Sequence, residues 1–311
     1  MATRPLHVTV PDAGWAERLA DVDGVELSVW DFESPQPEQR VDLAVRPYTV
    51  TAGGLETLDA ARLGVIQSQA LGFDGVADAL PSGITYCNAV GVHEESTAEL
   101  AVALLLASQR EIDRYAREVG EWNRRFTASL IDRRLMILGH GGIGREIEKR
   151  LDGFGAELVR VASRRREDER GTIHGHDELF ELLPTVDAVL IAVPLSADTT
   201  HLVDDAFLAA LPDGAVVVNV SRGLVVDADA VIREAGRVRL ATDVTDPEPL
   251  PPGHPLWSTP GVLISPHVGG MSSAMQPRIE GVVRRQIARL QNGRQPSDIV
   301  VEADRVKPAL P

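Results

Sequence analysis

The chain has 311 residues, 44% hydrophobic and 25% charged, so it can bury a full core and is long enough for two domains. A formal charge of −15 at pH 7 works against a broad phosphate-binding surface and excludes nucleic acid as the main partner, while leaving room for local basic pockets. The single cysteine, Cys87, excludes an intrachain disulfide and a cysteine-rich metal site. It fits a reducing compartment and reads as a small buried apolar residue.

Residues 1–10 pass straight into an alternating strand pattern and lack the charged head and apolar centre of an export signal. No apolar run approaches the ~20 residues that cross a bilayer, so a cytoplasmic protein without a membrane partner is expected. Short apolar runs at 6–10, 43–45 and 64–67 read as buried strands. A long helical stretch, or two, follows over 94–121, with Leu100, Leu104, Ile112, Tyr115 and Val119 as apolar positions. Strands recur at 134–138, 158–161, 188–193, 215–220, 239–242 and 262–265, separated by amphipathic or turn-rich segments, and 247–255 is a proline-rich turn region. This alternation predicts an α/β fold with parallel sheets. The remaining histidines, among them His93, His174, His176 and His254, show no pairing that demands a metal, and none is expected.

The 134–138 strand runs into Gly139-His140-Gly141-Gly142-Ile143-Gly144, then a helix over 145–151 and the 158–161 strand. A G-x-G-x-x-G spacing in this strand, turn, helix and strand order is the dinucleotide-binding unit. Gly139 serves the tight turn, Gly141 lets backbone approach a pyrophosphate at the positive end of the helix, and Gly144 lets the helix pack on the strand. The end of the next strand bears on which nucleotide. A ribose-binding site for NAD(H) calls for Asp or Glu there, yet the sequence reads Ser163-Arg164-Arg165-Arg166 with no acid until Glu167. A hydroxyl and one or two guanidinium groups, from Ser163, Arg164 and Arg165, suit a 2′-phosphate, so NADP(H) is favoured and NAD(H) is the alternative. The competing reading is that the mixed run 164–170 is a solvated loop.

Three further charged residues follow strands: Arg222 in Val-Asn-Val-Ser-Arg-Gly, Glu248 in Pro-Glu-Pro and His267 in Ser-Pro-His-Val-Gly-Gly. In doubly wound sheets ligands bind beyond the carboxyl ends of strands, so the three can converge despite their separation in sequence. Arg222 offers a planar fork to a carboxylate and can polarise a keto oxygen, or it is a structural ion-pair residue. His267 suits proton transfer near neutral pH, and Glu248 would fix its tautomer and favour the imidazolium. Each alone is more often structural, so the weight rests on the ordered set. Arg46 can help bind an anionic substrate or be structural.

Over about 88–273 the chain resembles the D-specific 2-hydroxyacid dehydrogenases, with weaker similarity in the flanks. The matching words are Gly139 to Gly144 as written above, Val193-Pro194-Leu195-Ser196 with Thr199, Val218-Asn219-Val220-Ser221-Arg222-Gly223, residues 243–251, and Pro266-His267-Val268-Gly269-Gly270. The resemblance implies two Rossmann-like or flavodoxin-like domains, with a cofactor domain at 91–274 inserted in a substrate domain of 1–90 and 275–311, and a cleft between them. It implies Arg222, Glu248 and His267 as catalytic residues, and Asp243 at the nicotinamide amide. Leu71 and Gly72 would donate N–H groups to the substrate carboxylate. Gly139, Gly141, Gly142, Ile143, Gly144, Val193, Pro194, Thr199, Val220, Ser221 and Gly269 would sit along the cofactor.

Residues 243–251 and 254–256 are especially similar to glyoxylate and hydroxypyruvate reductases, relatives that commonly use NADPH and carry Ser-Arg after the second strand. The implied activity is reduction of glyoxylate, hydroxypyruvate or a similar small 2-keto acid. The implied assembly is a homodimer whose surface includes a helix over 94–122, with Trp122 either there or in the core. The chain departs from the family at Ala70, where glycine is usual, at Gly75, where asparagine is common, at His140, where the usual residue is apolar, and at Ser272, where threonine is typical. These departures bear on substrate identity, so phosphoglycerate, a branched 2-keto acid, formate or phosphite is the alternative. The reading from another class is a non-catalytic nucleotide-sensing protein on the same scaffold.

Overall fold

The computed structural model describes residues 4–48, 51–302 and 305–306. Contacts divide the chain into two units, Met1–His93 with Ser273–Pro311, and Glu94–Ser272, so the second unit is inserted in the first. Among the described residues no helix is long and apolar enough to cross a membrane.

The first unit begins with β1 (Leu6–Val10), α1 (Ala13–Leu19), β2 (Val25–Val29), β3 (Val41–Val45), β4 (Leu63–Gln67), α2 (Val76–Ala79) and β5 (Thr85–Cys87). Helix α1 starts where the Asp12 side chain accepts the Trp15 N–H, satisfying a donor that the first turn leaves open. Alternate residues of the strands bury into opposite faces, Val8, Leu43, Val45, Val65 and Cys87 on one and Ala44, Ile66 and Tyr86 on the other. Burial pushes the Cys87 thiol up to about 12, so it behaves as a small hydrophobe.

The second unit contains α3 (Glu94–Gln109), α4 (Ile112–Arg117), β6 (Arg134–Leu138), α5 (Gly142–Leu151), β7 (Glu157–Val161), β8 (Arg166–Asp168), β9 (Gly171–His174) and α6 (Leu179–Leu182). β10 (Ala188–Ile191), α7 (Asp205–Ala210), β11 (Val216–Asn219), α8 (Ala228–Glu234), β12 (Arg239–Thr242) and β13 (Val262–Ile264) complete it. Its sheet has the order β13-β12-β11-β10-β6-β7-β9-β8, parallel except for the β8–β9 hairpin. Met136, Leu138, Val189, Ile191 and Val217 pack on one side, and Leu135, Ile137, Ala188, Leu190, Val216 and Val218 on the other. Both faces are therefore covered, which is why these strands read as continuous apolar runs.

The chain then returns to the first unit through α9 (Met275–Gln291), β14 (Ile299–Glu302) and β15 (Arg305–Val306). That unit's sheet has the order β15-β14-β5-β4-β3-β1-β2, parallel from β5 to β2 and antiparallel where β14 meets β5. Helix α9 adds Ile279, Val282, Val283 and Ile287 to the face holding Val8 and Val10.

All nine expected strands are present, and the mixed α/β architecture with two mainly parallel sheets is as expected. The helix over 94–122 is not continuous. Arg239 Nη1 and the Glu111 N–H both bond the Ser108 carbonyl, which an unbroken helix would offer to Ile112. Glu111 turns at φ 51, α4 ends at Arg117, and no helix reaches Trp122.

Candidate active site

In the inserted unit, register pairs Val161 with Leu138, Leu138 with Ile191, Ile191 with Asn219, Asn219 with Thr242, and Thr242 with Ile264. The loops after β7, β6, β10, β11, β12 and β13 therefore leave from one edge, neighbouring exits being about 5 Å apart. Strand order reverses between β6 and β10, the kind of place where open α/β sheets take ligands.

The glycine turn follows β6 at that place. Gly139 has φ 101, and a Cβ there would lie 2.6 Å from the Ala192 carbonyl oxygen, so only glycine passes this close to the β10 exit that carries Val193 and Pro194. A Cβ at Gly144 would collide with the Gly139 carbonyl, which lets α5 pack onto the turn. A Cβ at Gly141 would meet nothing within 4 Å, and α5 has no side-chain cap at its start. Open first-turn N–H groups facing open space are what an anion requires, so the residues fit a dinucleotide pyrophosphate.

The loop after β7 is pinned at both ends, by Ala162 N–H donating to His174 O at 3.0 Å and by the β8–β9 hairpin. Ser163 and Arg164 are exposed, with no hydrogen-bond or ion-pair partner among the described residues. Arg165 is engaged elsewhere: its Nη1 donates to Glu178 Oε2 at 2.6 Å. Bonds from His174, then the Gly175 N–H, then Arg165 hold the Glu178 carboxyl at about 2, so it stays ionised and keeps Arg165. Arg166, which sequence reasoning did not single out, reaches back so that Nη2 donates to the His140 carbonyl at 3.4 Å. Nothing in a run of arginines distinguishes these roles before the hairpin is known.

At the other end of the edge, Asn219 shapes the loop that carries Arg222. Its Oδ1 accepts from Ser221 N at 3.0 Å and Ser221 Oγ at 2.6 Å, and its Nδ2 donates to Arg222 O at 2.9 Å. A Cβ at Gly223 would collide with the Thr245 carbonyl, so glycine lets this loop lie against the one after β12. Half-buried Arg222 donates from Nη1 to Ser221 O at 2.7 Å.

Asp243 ties the next two loops together. Its carbonyl accepts the His267 N–H at 2.7 Å, and its Oδ2 accepts the Gly269 N–H at 2.8 Å. Its Oδ1 is buried and has no partner among the described residues. Burial raises the Asp243 carboxyl above the usual carboxylate range, partly offset by the Gly269 N–H and His267. His267 sits at φ 43, outside the ordinary region for a side chain of its size, with Nδ1 2.5 Å from Glu248 Oε1. A carboxylate only accepts, so Nδ1 carries the proton and Nε2 faces away as the transferable position.

Helix α3 links the two ends. Where Gly142 would carry a Cβ, Glu94 Cγ is 2.9 Å away, and where Gly269 would, Thr97 is 3.2 Å away, both in the first turn of α3. Thr199, by contrast, braces its own turn, donating to Pro194 O at 2.7 Å and accepting from Ser196 N at 2.8 Å.

In the first unit, Leu71 and Gly72 N–H groups have no hydrogen-bond partner among the described residues, while Asn88 Nδ2 holds the Leu71 carbonyl at 2.8 Å. Arg46 is 5% exposed, and its guanidinium donates to Thr51 O and Gly53 O at 3.0 Å each, so it holds the 51–53 loop.

Residues 102–269 match the family model described as "D-isomer specific 2-hydroxyacid dehydrogenase, NAD binding domain". A glyoxylate reductase of Korarchaeum cryptofilum is 32% identical over 306 residues, covering 91% of this chain and 92% of the relative. The chain belongs to the D-isomer specific 2-hydroxyacid dehydrogenase family. As a member it is an oxidoreductase acting on the CH–OH group of a hydroxy acid through an NAD(P)-binding domain. Another glyoxylate reductase, of Aeropyrum pernix, is 31% identical over 300 residues, 88% of this dehydrogenase and 89% of the relative. Among solved structures, the NADPH-dependent glyoxylate/hydroxypyruvate reductase of Sinorhizobium meliloti, in complex with NADP and malonate, superposes with a TM-score of 0.77 at 25% identity. It covers 99% of this chain and 100% of its own.

Proposed function

We propose that this dehydrogenase is an NADPH-dependent reductase of glyoxylate, hydroxypyruvate or a similarly small 2-keto acid. The observation that carries the reading is the His267–Glu248 pair, on the exits of β13 and β12, the two strands that follow β11, which presents Arg222, across the sheet. When bound, the nicotinamide cofactor supplies the hydride that reaches the substrate carbonyl carbon. Arg222 holds the substrate carboxylate in its planar fork and directs a further N–H at the keto oxygen, stabilising the charge that develops there. His267, with Nδ1–H held by Glu248, delivers a proton from Nε2 to that oxygen, and in the oxidative direction removes it. Leu71 and Gly72, whose N–H groups have no partner among the described residues, are suited to bind a carboxylate, and Arg46 holds the 51–53 loop.

Gly139, Gly141, Gly142, Ile143 and Gly144, at the α5 start, hold the pyrophosphate, and Val193, Pro194, Val220, Ser221 and Gly269 line the cofactor. Asp243 meets the nicotinamide amide, an N–H donor suited to its open Oδ1. Ser163, Arg164 and Arg166 take the 2′-phosphate, with Arg165 kept on Glu178. The names of the glyoxylate reductases and the NADP in the Sinorhizobium structure support the substrate and cofactor. Loss of reduced-cofactor absorbance over a panel of 2-keto acids, with both cofactors, tests the reading. The highest kcat/KM is expected for NADPH with glyoxylate or hydroxypyruvate. A preference for NADH overturns the cofactor assignment, and no turnover with any keto acid points to the nucleotide-sensing alternative.

The stretch after α4 exposes Val119, Trp122, Phe126 and Ile131, with Trp122 91% exposed. So many large apolar side chains in one short stretch mark a covered surface, and a second copy of the chain is the proposed cover. Sedimentation should give a dimer, weakened by Trp122→Asp.

A further inference from the structure

Beside the glycine turn lies a set of buried polar and charged side chains that the proposed reaction does not use. His140, Glu148 and Arg160 are 5%, 6% and 4% exposed. His140 Nε2 lies 2.7 Å from Glu148 Oε2. Arg160 Nη1 donates to Glu148 Oε1 at 3.3 Å and to both Asp168 carboxylate oxygens at 2.9 Å, and Arg170 Nε stands 3.4 Å from Glu148 Oε1. Arg160 Nη2 also donates to Thr172 O at 3.3 Å. The network thus joins four pieces of the unit: the glycine turn, α5, β7 and the β8–β9 hairpin.

Taking this many charges out of water is expensive, and apolar side chains of similar volume usually fill such a space at lower cost. What the charges add is fixed geometry, because each bond has a defined length and direction. His140 Nδ1 is buried without a partner among the described residues, so the ring is oriented through Nε2 and Glu148 alone. Glu148 Oε2 accepts the hydrogen bond from the His140 Nε2–H, since a carboxylate has no hydrogen to donate. The two parts joined have different tasks. On the NADPH reading, the glycine turn serves the pyrophosphate that both dinucleotides share, whereas the loop 163–166 serves the ribose that carries the distinguishing 2′-phosphate. That loop enters β8 through Arg166, whose guanidinium already bonds the His140 carbonyl.

We propose that His140, Glu148 and Arg160 form a clasp that determines cofactor choice: it fixes the loop 163–166 against the glycine turn so that Ser163, Arg164 and Arg166 close on a ribose 2′-phosphate. These three are positioning residues, acting through the loop. The proposal rests on the NADPH reading above, and binding alone can separate the two. The probes are 2′,5′-ADP and 5′-AMP, which differ only in the 2′-phosphate, titrated calorimetrically into the full chain. The wild type binds 2′,5′-ADP more tightly. His140→Leu is expected to lower that ratio about tenfold, leaving 5′-AMP affinity within about twofold, and His140→Gln, which can still donate to Glu148, to restore the ratio. Asp168→Asn, on the exposed side of the network, gives a smaller loss in the same direction and serves if the buried variant does not fold. Equal weakening of both probes in His140→Leu, or an unchanged ratio in both His140→Leu and Asp168→Asn, overturns the clasp while the NADPH reading stands. No 2′,5′-ADP preference in the wild type overturns both.

Discussion

The two ends of the inserted unit's ligand-facing edge treat charge in opposite ways. Beside β7, Arg160, Arg165 and Arg170 are answered by Glu148, Asp168, Asp152 and Glu178, while Ser163 and Arg164 have no partner among the described residues. Beyond β12 and β13, Asp243 is buried with one oxygen unanswered, and His267 is held in a left-handed backbone conformation. Saturated charges hold a shape. A buried acceptor left open and a strained residue that the fold nonetheless keeps are the marks of a surface that meets a ligand.

The contrast can be broken by experiment. The largest effect belongs to His267→Ala, which should lower kcat by about 10²- to 10⁴-fold at saturating cofactor while the thermal midpoint changes little, since alanine keeps the same Cβ and the fold loses only a partly exposed bond to Glu248. Loss of stability with retained turnover would make His267 a structural residue and erase the distinction. Next is Gly144→Ala. A methyl group there meets the Gly139 carbonyl, so the cost should lie at the top of the ~1–3 kcal/mol usual for overpacking, read from denaturant unfolding and accompanied by lost cofactor binding. Arg164→Ala removes a cation that does nothing for the fold. KM for NADPH should rise about tenfold or more, as for a lost charged hydrogen bond, with KM for NADH and the unfolding midpoint unchanged.

The smallest effect sharpens the comparison through pH. Burial raises the Asp243 carboxyl, so the folded chain holds this proton more tightly than the unfolded chain does. Stability then falls as pH climbs from the unfolded pKa through the raised folded one, and the full penalty is present above it. Asp243→Asn should therefore raise the unfolding midpoint above that window, leave it unchanged below, and weaken cofactor binding. Equal midpoints for the two proteins across the pH range would mean that the carboxylate is not penalised.

Strands such as β6, β10 and β11 were legible because both faces are buried and almost every residue is apolar. β8 was not, because Arg166, Glu167 and Asp168 are all exposed and pair only as an edge hairpin. β2 and β14 carry signals in the sequence, the alternating Val-Glu-Leu-Ser-Val and the apolar Ile-Val-Val, beyond the nine expected strands. The order of Arg222, Glu248 and His267 marked the candidate site in the sequence, and the structure adds the Nδ1 bond and the bonds of Asn219 to the Arg222 loop. The division of labour among Arg164, Arg165 and Arg166 depends on Glu178 and His140, which lie on other elements. No local spacing encodes that.

The insertion also sets a timetable for synthesis. Helix α9 and β14 complete a core and a sheet begun by β1 to β5, but they leave the ribosome only after residues 94–272. At about 5–20 residues per second, the edge of β5 and the face of Val8 and Val10 wait on the order of ten seconds or more for their cover. The inserted unit, continuous in the chain, can close its own core meanwhile. The earliest part of the protein to be made is thus among the last to be finished, and its uncovered strand edge is where a nascent chain would be most open to chaperone capture or mispairing.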